Sequence, residues 1–175
     1  FKDLSDNMDQ KHYAKLINEE LEKLPFYVKE FYLAKNLALT TKYQYLTEIR
    51  RFFTWLRQEG ISKAKSNTDI ELSTLEHLKR EDVMLYLDYL KNTVNMQNKY
   101  NSPTTINRSI NALRSLFHYL TVVADNNDGE PYFYRNVMAK IESLPASQTL
   151  NYRANMLQTH MYRGKMKHDF LDFLS

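Results

Sequence analysis

The chain has 175 residues with 24 Lys+Arg against 21 Asp+Glu, so its formal net charge is +3. This balance excludes an acidic disordered chain, and it is too small to establish a nucleic-acid partner by itself. The length suits one domain, or one domain plus a fragment, and 43% hydrophobic residues supply a packed core. The absence of Cys excludes disulfides and thiol catalysis and fits a reducing, cytoplasmic location. With 3 Gly and 4 Pro the chain is poor in turn residues, which favours an all-α fold over a many-stranded one.

Apolar periodicity predicts five helices along the chain. They cover residues 9–24, 26–36, 40–59, 78–92 and 102–122. Pro25 separates the first two, Thr40 or Thr41 is the expected cap of the third, and Gly60 ends it. The pair Ser102-Pro103 is a strong start signal for the fifth helix, because it combines an N-cap residue with Pro at the first helical position.

The remaining segments are predicted to connect or extend this small orthogonal helical bundle. Residues 61–78 are expected to be mostly a polar loop and 93–101 an Asn-rich loop. Residues 131–143 are expected to form a short helix, 145–149 a linker, and the basic tail beyond them a helix. The chain begins without Met and stops inside an apolar periodic run, so we expect a piece of a longer protein.

The third predicted helix has two contrasting faces. Its apolar arc, which must face the core, contains Tyr45, Leu46, Ile49, Phe52, Phe53 and Leu56. The opposite face contains Tyr43, Gln44, Thr47, Arg50, Arg51 and Thr54. An ordinary solvated helix face mixes Glu with Lys, whereas this face has no carboxylate. The single tryptophan, Trp55, flanks the apolar arc and is expected to anchor packing.

The fifth predicted helix repeats this division. Its buried stripe contains Ile106, Ile110, Leu113, Leu116, Phe117 and Leu120. The opposite arc contains Thr104, Asn107, Arg108, Asn111, Ser115 and His118, with Arg114 at its flank. No Asp or Glu occurs from Ser102 to Leu120. The positive charge is therefore concentrated in these two helices and in the tail beyond residue 131, while residues 121–130 are acidic.

Two functions fit such faces. Phosphates attract cations and hydroxyls, and base edges in the major groove attract Arg, Asn and Gln, so one interpretation is a DNA-binding module. The other is a helical protein-interaction or regulatory module whose basic faces meet an acidic partner. The periodicity alone leaves both open.

The sequence has no pattern typical of an enzyme, a cofactor site or a membrane protein. The five His residues are scattered without metal-ligand spacing, and the glycines stand alone, so neither a metal nor a phosphate-binding loop is expected. No nucleophile elbow is present, and no apolar run is long enough to span a membrane. No cofactor is therefore expected.

Three runs carry a resemblance to a known family. TTKYQYLTEIRRFFTWLRQEG (40–60) resembles the second helix of the core-binding domain of tyrosine recombinases, and SPTTINRSINALRSLFHYL (102–120) resembles the fourth. Between them, LEHLKREDVMLYLDYL (75–90) is similar to the connecting helix. PFYVKEFY (25–32) and GEPYFYRNVM (129–138) bring the chain nearest to the single-protein Xer-type recombinases, with phage and transposon integrases as neighbours.

The resemblance implies a SAM-like helical domain that forms half of a clamp around double-stranded DNA. Its second and fourth helices would lie in the major groove of a recombination half-site. Carried over by motif, the DNA-binding residues would be Thr41, Lys42, Tyr43, Gln44, Thr47, Arg50 and Arg51 from one helix and Thr104, Thr105, Asn107, Arg108, Asn111 and Arg114 from the other. Lys42 and Thr105 lie off the two arcs but in first helical turns, where a phosphate contact is plausible.

The resemblance also implies an organisation of the chain. Residues 1–24 would be an N-terminal helix, 25–145 the core-binding domain, 146–165 a linker, and 166–175 the start of a catalytic domain absent from this sequence. The family's catalytic Arg, Lys, His-x-x-Arg and Tyr are missing, and His160-Met-Tyr-Arg163 matches only by spacing. The chain alone is therefore expected to be inactive, and the whole recombinase to cut and rejoin DNA as a tetramer of protomers without a metal.

Overall fold

The computed structural model describes residues 2–145, with side chains from Asp9 onward. Six α-helices make up this part of the chain. They are α1 (Lys2–Glu22), α2 (Phe26–Ala34), α3 (Leu39–Gln58), α4 (Leu72–Glu76), α5 (Arg80–Asn92) and α6 (Pro103–His118). The predicted all-α class is confirmed: between residues 2 and 145 the only β pairing is an isolated bridge between Val94 and Tyr100. The predicted linker at 145–149 and the helical tail lie almost wholly outside the described residues.

Helix α3 is the centre of the bundle, and α1 and α6 both pack against it. Phe52 and Phe53 of α3 are fully buried. The Phe52 ring stacks on Trp55 with centroids 6.2 Å apart and meets Tyr86 of α5 edge-on at 4.8 Å. Burying one such side chain contributes about 1.5–3 kcal/mol, so this aromatic cluster is a major part of the core. The role predicted for Trp55 as a packing anchor is confirmed.

Both predicted apolar stripes are confirmed almost completely. In α3 every member of the stripe is buried except Tyr45, which is half-buried. In α6 and the turn that follows it, all six predicted residues are buried. Amphipathic periodicity predicts these positions well because a helix with one apolar face can remove it from water in only one orientation.

Prolines mark the starts of two helices, α6 and α2. The N–H of Thr105 donates to Ser102 Oγ at 3.2 Å, with Pro103 as the first residue of α6, so the predicted cap is confirmed. Pro25 is the N-cap of α2.

The predicted cap of α3 was wrong. The helix begins at Leu39 after Ala38, without a side-chain cap, and its first backbone bond joins Lys42 N to Ala38 O at 2.9 Å. The chain becomes helical as soon as the extended connection from α2 ends, which places Thr40 and Thr41 inside the first turn. The helix ends as predicted beside Gly60, whose φ of +74° favours glycine.

The segment predicted as a polar loop at 61–78 is more ordered than expected. It contains a 3-10 turn at Asn67–Asp69 as well as α4. The guanidinium of Arg57 organises it by donating to Ala64 O at 3.2 Å, to Asn67 Oδ1 at 3.0 Å and to Lys65 O. The polar residues therefore fold back onto α3, and α5 starts at Arg80, two residues later than predicted.

The chain after α6 is also less regular than predicted. The helix passes into a π-helical turn at Tyr119–Val123, close to its expected end. The short helix expected over 131–143 is reduced to a 3-10 turn at Val137–Lys140, capped by the side chain of Asn136. The extended residues before it carry Phe133 into the core, where its ring meets Phe117 at 6.1 Å.

Candidate nucleic-acid interface

A buried carboxylate connects α3 to α6. Glu48 of α3 accepts a hydrogen bond from the hydroxyl of Ser109 of α6, and it accepts a second from Nη1 of Arg51 at 3.1 Å. The Glu48 side chain is only 5% exposed, because it lies on the α6 side of α3 and not on the outer face. The two helices predicted to carry the site are therefore packed together, and the outer face of α3 keeps its lack of carboxylates.

The residues on the outer face of α3 differ in how far they are exposed to solvent. Gln44 and Arg51 are exposed, whereas Tyr43, Thr47 and Thr54 are half-buried. The hydroxyls of Thr47 and Thr54 each donate to the backbone carbonyl four residues earlier at 2.9 Å. Thr47 therefore offers a methyl group and oxygen lone pairs to a partner, whereas the Thr54 oxygen already accepts from Asn67 Nδ2 at 3.0 Å. Arg51 and Gln44 offer N–H donors.

Helix α1 covers one flank of that face. The ring of Tyr13 meets the ring of Tyr43 edge-on at 6.0 Å, and Glu20 accepts a hydrogen bond from Arg50 Nε at 2.6 Å. Glu20 is buried, and the Arg50 side chain is 31% exposed. Arg50 was predicted to lie on an open face without carboxylates, but the structure gives it an acidic neighbour from 30 residues away.

The first turn of α3 carries the two other predicted residues of this helix. Thr41 and Lys42 are both half-buried. The Lys42 ammonium lies 4.4 Å from the centre of the Tyr32 ring, a cation–π contact that fixes the side chain without neutralising its charge. The contact therefore holds the Lys42 side chain beside the N-terminal end of the helix.

The outer face of α6 is the more open of the two. Thr104, Arg108 and Asn111 are exposed, and Thr105 and Asn107 are half-buried. The Thr105 hydroxyl lies 3.1 Å from Ser102 Oγ in the N-cap.

Arg114, at the flank of this face, is half-buried and already has a structural partner. Its Nη2 donates to the carbonyl of Ile141 and so holds the segment after the 3-10 turn against α6. Arg114 thus stabilises the fold, whereas Arg108 and Asn111 are exposed on its surface.

The structure adds residues that were not among the predicted DNA-binding positions. Thr40 and Gln58 are exposed on the same strip of α3 as Gln44 and Arg51. A turn at 93–101, here called the α5–α6 hairpin, lies beside the C-terminal half of that strip and encloses with it a groove of about 600 Å³. The sequence contains a signal for this groove, because no Asp or Glu occurs between Asp88 and Asp125.

Other kinds of site find no support in the described part of the chain. Between Asp9 and Pro145 no three His, Asp or Glu side chains are grouped as metal ligands. None of the helices described is long and apolar enough to cross a membrane. The clear pKa shifts fall on tyrosines: burial raises the pKa of Tyr27 and Tyr86 well above the ordinary value of 10.0, which keeps both hydroxyls neutral.

The comparison with known families addresses the same part of the chain. Residues 26–122, which run from α2 to the turn after α6, match the family described as "Phage integrase, N-terminal SAM-like domain". The chain belongs to this family of tyrosine recombinase N-terminal domains. The family resemblance seen in the sequence is thereby confirmed, and the matched region of this integrase-type domain contains both α3 and α6.

Curated relatives of this SAM-like domain are tyrosine recombinases. The chain is 43% identical over 165 residues to "Tyrosine recombinase XerS" of Streptococcus mutans, covering 90% of this chain and 46% of the relative. It is 41% identical over 165 residues to the protein of that name from Streptococcus agalactiae, with the same coverage, and 40% identical over 167 residues to that of Lactococcus lactis, covering 89% and 47%. The chain thus spans about half the length of these relatives. No solved structure matches it.

Proposed function

We propose that this chain is the DNA-binding N-terminal part of a tyrosine site-specific recombinase. In this proposal α3 and α6 enter the major groove of one recombination half-site in double-stranded DNA. The observation that carries it is the exposure of Arg51 on α3 and of Arg108 and Asn111 on α6, on two packed helices whose outer faces have no carboxylate.

The exposed side chains are proposed to make two kinds of contact, one with bases and one with phosphates. Arg and Asn present paired donors and acceptors that match guanine and adenine edges, so Arg108 and Asn111 are proposed to contact bases. Lys42, Arg51 and the hydroxyls of the first turns are proposed to contact phosphates, which position the helices without reading sequence. Thr104 and Gln44 are exposed on the two faces. Their side chains are able to contact either bases or phosphates.

The activity of the whole protein is part of the proposal. The relatives that share this domain are named recombinases, and the chain spans about half of their length. We propose that residues 25–145 form the core-binding domain after an N-terminal helix at 1–24, and that 146–165 link it to a catalytic domain beginning near 166. The family resemblance implies cutting and rejoining of DNA through a 3′-phosphotyrosine, with other protomers as partners.

The test is binding of the 175-residue chain to two labelled duplexes by fluorescence anisotropy. One duplex carries the recombination site of a named relative and the other a scrambled site, and each is titrated over a range of salt concentrations. A DNA-binding face that neutralises several phosphates gives an affinity that falls steeply and linearly in a logarithmic plot against salt. Half of a clamp binds weakly, so protein is titrated into the high micromolar range.

The alternative, a module for an acidic protein partner, is separated by competition. Unlabelled duplex and poly-glutamate of equal charge are added to the bound complex. Release by duplex at far lower concentration than by poly-glutamate supports the proposal. Absent or salt-independent DNA binding contradicts it and favours the protein-interaction module.

A further inference from the structure

The groove between α3 and the α5–α6 hairpin begins at Arg51 of the proposed interface and extends from it towards α5. Its α3 wall consists of Arg50, Arg51, Thr54 and Gln58, and its α5 wall of Tyr86, Tyr89 and Leu90. The hairpin closes it with residues 93–97 and Asn101. None of these lining residues is a carboxylate, although Asp88, Glu59 and Asp82 line a separate pocket on the other side of Tyr89.

The charges in this groove suit an anion. Arg51 is 54% exposed and uses Nη1 for Glu48, while Arg50 uses Nε for Glu20. Each guanidinium has five N–H donors in a fixed fork, so an ion pair through one nitrogen is compatible with a bidentate contact to a phosphate through the others. The two glutamates lie behind the arginines, being buried against the bundle.

The opposite wall is a hairpin held together by its own hydrogen bonds. The Asn95 N–H donates to Lys99 O at 2.8 Å, and the Asn95 carboxamide accepts from the N–H groups of Gln97 and Lys99 at 2.9 and 3.0 Å. Asn98 takes a left-handed φ of 59°, a conformation that Asn tolerates, and Asn101 Nδ2 ties the hairpin to Leu90 O at 2.8 Å. Because the backbone is satisfied internally, the side chains of Met96 and Gln97 project outward, and Met96 is completely exposed.

The floor of the groove carries an unsatisfied polar atom. The Tyr86 hydroxyl is buried and has no hydrogen-bond partner among the described residues. A buried hydroxyl without a partner is uncommon, and because this one is shielded from solvent, an anion reaches it only if a side chain lining the groove moves.

We propose that this groove holds one strand of the sugar–phosphate backbone of duplex DNA, with the α5–α6 hairpin as its outer wall. This inference rests on the proposed function, since it extends the interface of α3 and α6 to the strand that borders the major groove. The hairpin joins α5 directly to the N-terminus of α6, so a backbone in the groove would fix the position of α6 along the duplex. Phosphate contacts of this kind add affinity without sequence preference.

The test introduces one negative charge into each wall of the groove. Gln97→Glu alters the hairpin and Gln58→Glu alters α3, and Asn127→Asp, in the exposed turn after α6, is the matched control. The full 175-residue chain is titrated with specific and scrambled duplexes as above. We expect each groove variant to bind both duplexes about five- to tenfold more weakly, the effect of one like-charge contact across water. The control is expected to bind as wild type. Removing the cation in Arg51→Ala lowers the salt slope by about one.

The outcomes separate this inference from the proposed function. If wild type binds DNA and Arg108→Ala weakens it, but Gln97→Glu and Gln58→Glu bind like Asn127→Asp, the groove proposal is overturned and the major-groove proposal stands. A loss confined to the specific duplex also overturns it, because a backbone contact affects both duplexes equally. Failure of wild type to bind either duplex overturns the proposed function itself. Thermal unfolding of each variant, expected within about 2 °C of wild type for an exposed substitution, shows that the fold is intact.

Discussion

The hydroxyl of Ser109 on α6 donates a hydrogen bond to the carboxylate of Glu48 on α3, and both side chains are buried. The same carboxylate accepts from Arg51, which is on the proposed DNA-binding strip. Glu48 therefore fixes the position of α6 and the position of the Arg51 guanidinium on α3. Under the proposed function, fixing α3 and α6 relative to one another limits the entropy lost when both helices bind DNA.

Replacing Glu48 tests this connection. Glu48→Ala leaves the buried Ser109 hydroxyl and the Arg51 guanidinium without their acceptor, and we expect the free energy of unfolding to fall by about 2–3 kcal/mol. Urea denaturation followed by circular dichroism measures it. Glu59→Ala, at the exposed end of the same helix, is the control and should change stability by less than about 0.5 kcal/mol. Equal losses in the two variants would show that Glu48 does not join the helices.

Arg108→Ala tests the assignment of α6 to the major groove. If Arg108 contacts a guanine, the variant should lose about 1–3 kcal/mol of binding free energy on the specific duplex and should relax the preference at one base step. Binding is measured with a series of duplexes substituted at single positions. Arg80→Ala removes an equally exposed arginine from the start of α5 and should leave the preference unchanged. A uniform loss across all duplexes would reassign Arg108 to a phosphate.

Glu20→Gln tests the effect of α1 on the interface. The carboxylate of Glu20 neutralises part of the Arg50 charge at 2.6 Å, so removing it should raise DNA affinity by a few fold at low salt and reduce thermal stability. The affinity gain should vanish at high salt because it is electrostatic. Glu22→Gln, on an exposed position of the same helix, supplies the matched control. Unchanged affinity would mean that Arg50 lies away from the DNA.

Two buried tyrosines test whether a hydrogen-bonded hydroxyl stabilises the fold more than an unpaired one. Tyr27 donates to Ile70 O at 2.8 Å, whereas the hydroxyl of Tyr86 has no partner among the described residues. Tyr27→Phe should therefore cost about 1–2 kcal/mol of unfolding free energy, and Tyr86→Phe should be neutral or slightly stabilising. Urea denaturation at neutral pH measures both. A larger loss for Tyr86→Phe would contradict the assignment of its hydroxyl as unsatisfied.

The same tyrosines predict the alkaline limit of stability. Burial raises the pKa of Tyr27 and Tyr86 above the unfolded value of 10.0, so the folded state holds these protons more tightly than the unfolded chain does. Their contribution is fully present below pH 10 and is lost as the pH rises above it, because ionisation then favours unfolding. Melting temperatures from pH 8 to 11.5 should fall beyond about pH 10, and less steeply in Tyr27→Phe. An equally steep fall in that variant would assign the effect to other groups.

The sequence by itself determined the helical class, the buried stripes of α3 and α6, the start of α6 at Ser102-Pro103 and the family. These features depend on local patterns: periodicity separates the two faces of a helix, and a cap needs only its neighbours along the chain. The start of α3 could not be predicted in this way, because Ala38 lacks a capping side chain. The order within the 61–78 segment was also not predicted, since Arg57 organises it through side-chain contacts.

Tertiary structure alone decided which of the predicted surface residues are open. Arg50 and Arg108 look equivalent in the sequence, yet Arg50 meets Glu20 of α1, 30 residues away, and Arg108 is exposed. The groove beside the α5–α6 hairpin likewise arises only when α3 and α5 pack together. Helical periodicity fixes the face on which a residue lies, whereas its partner comes from another element, through contacts between residues far apart in the chain.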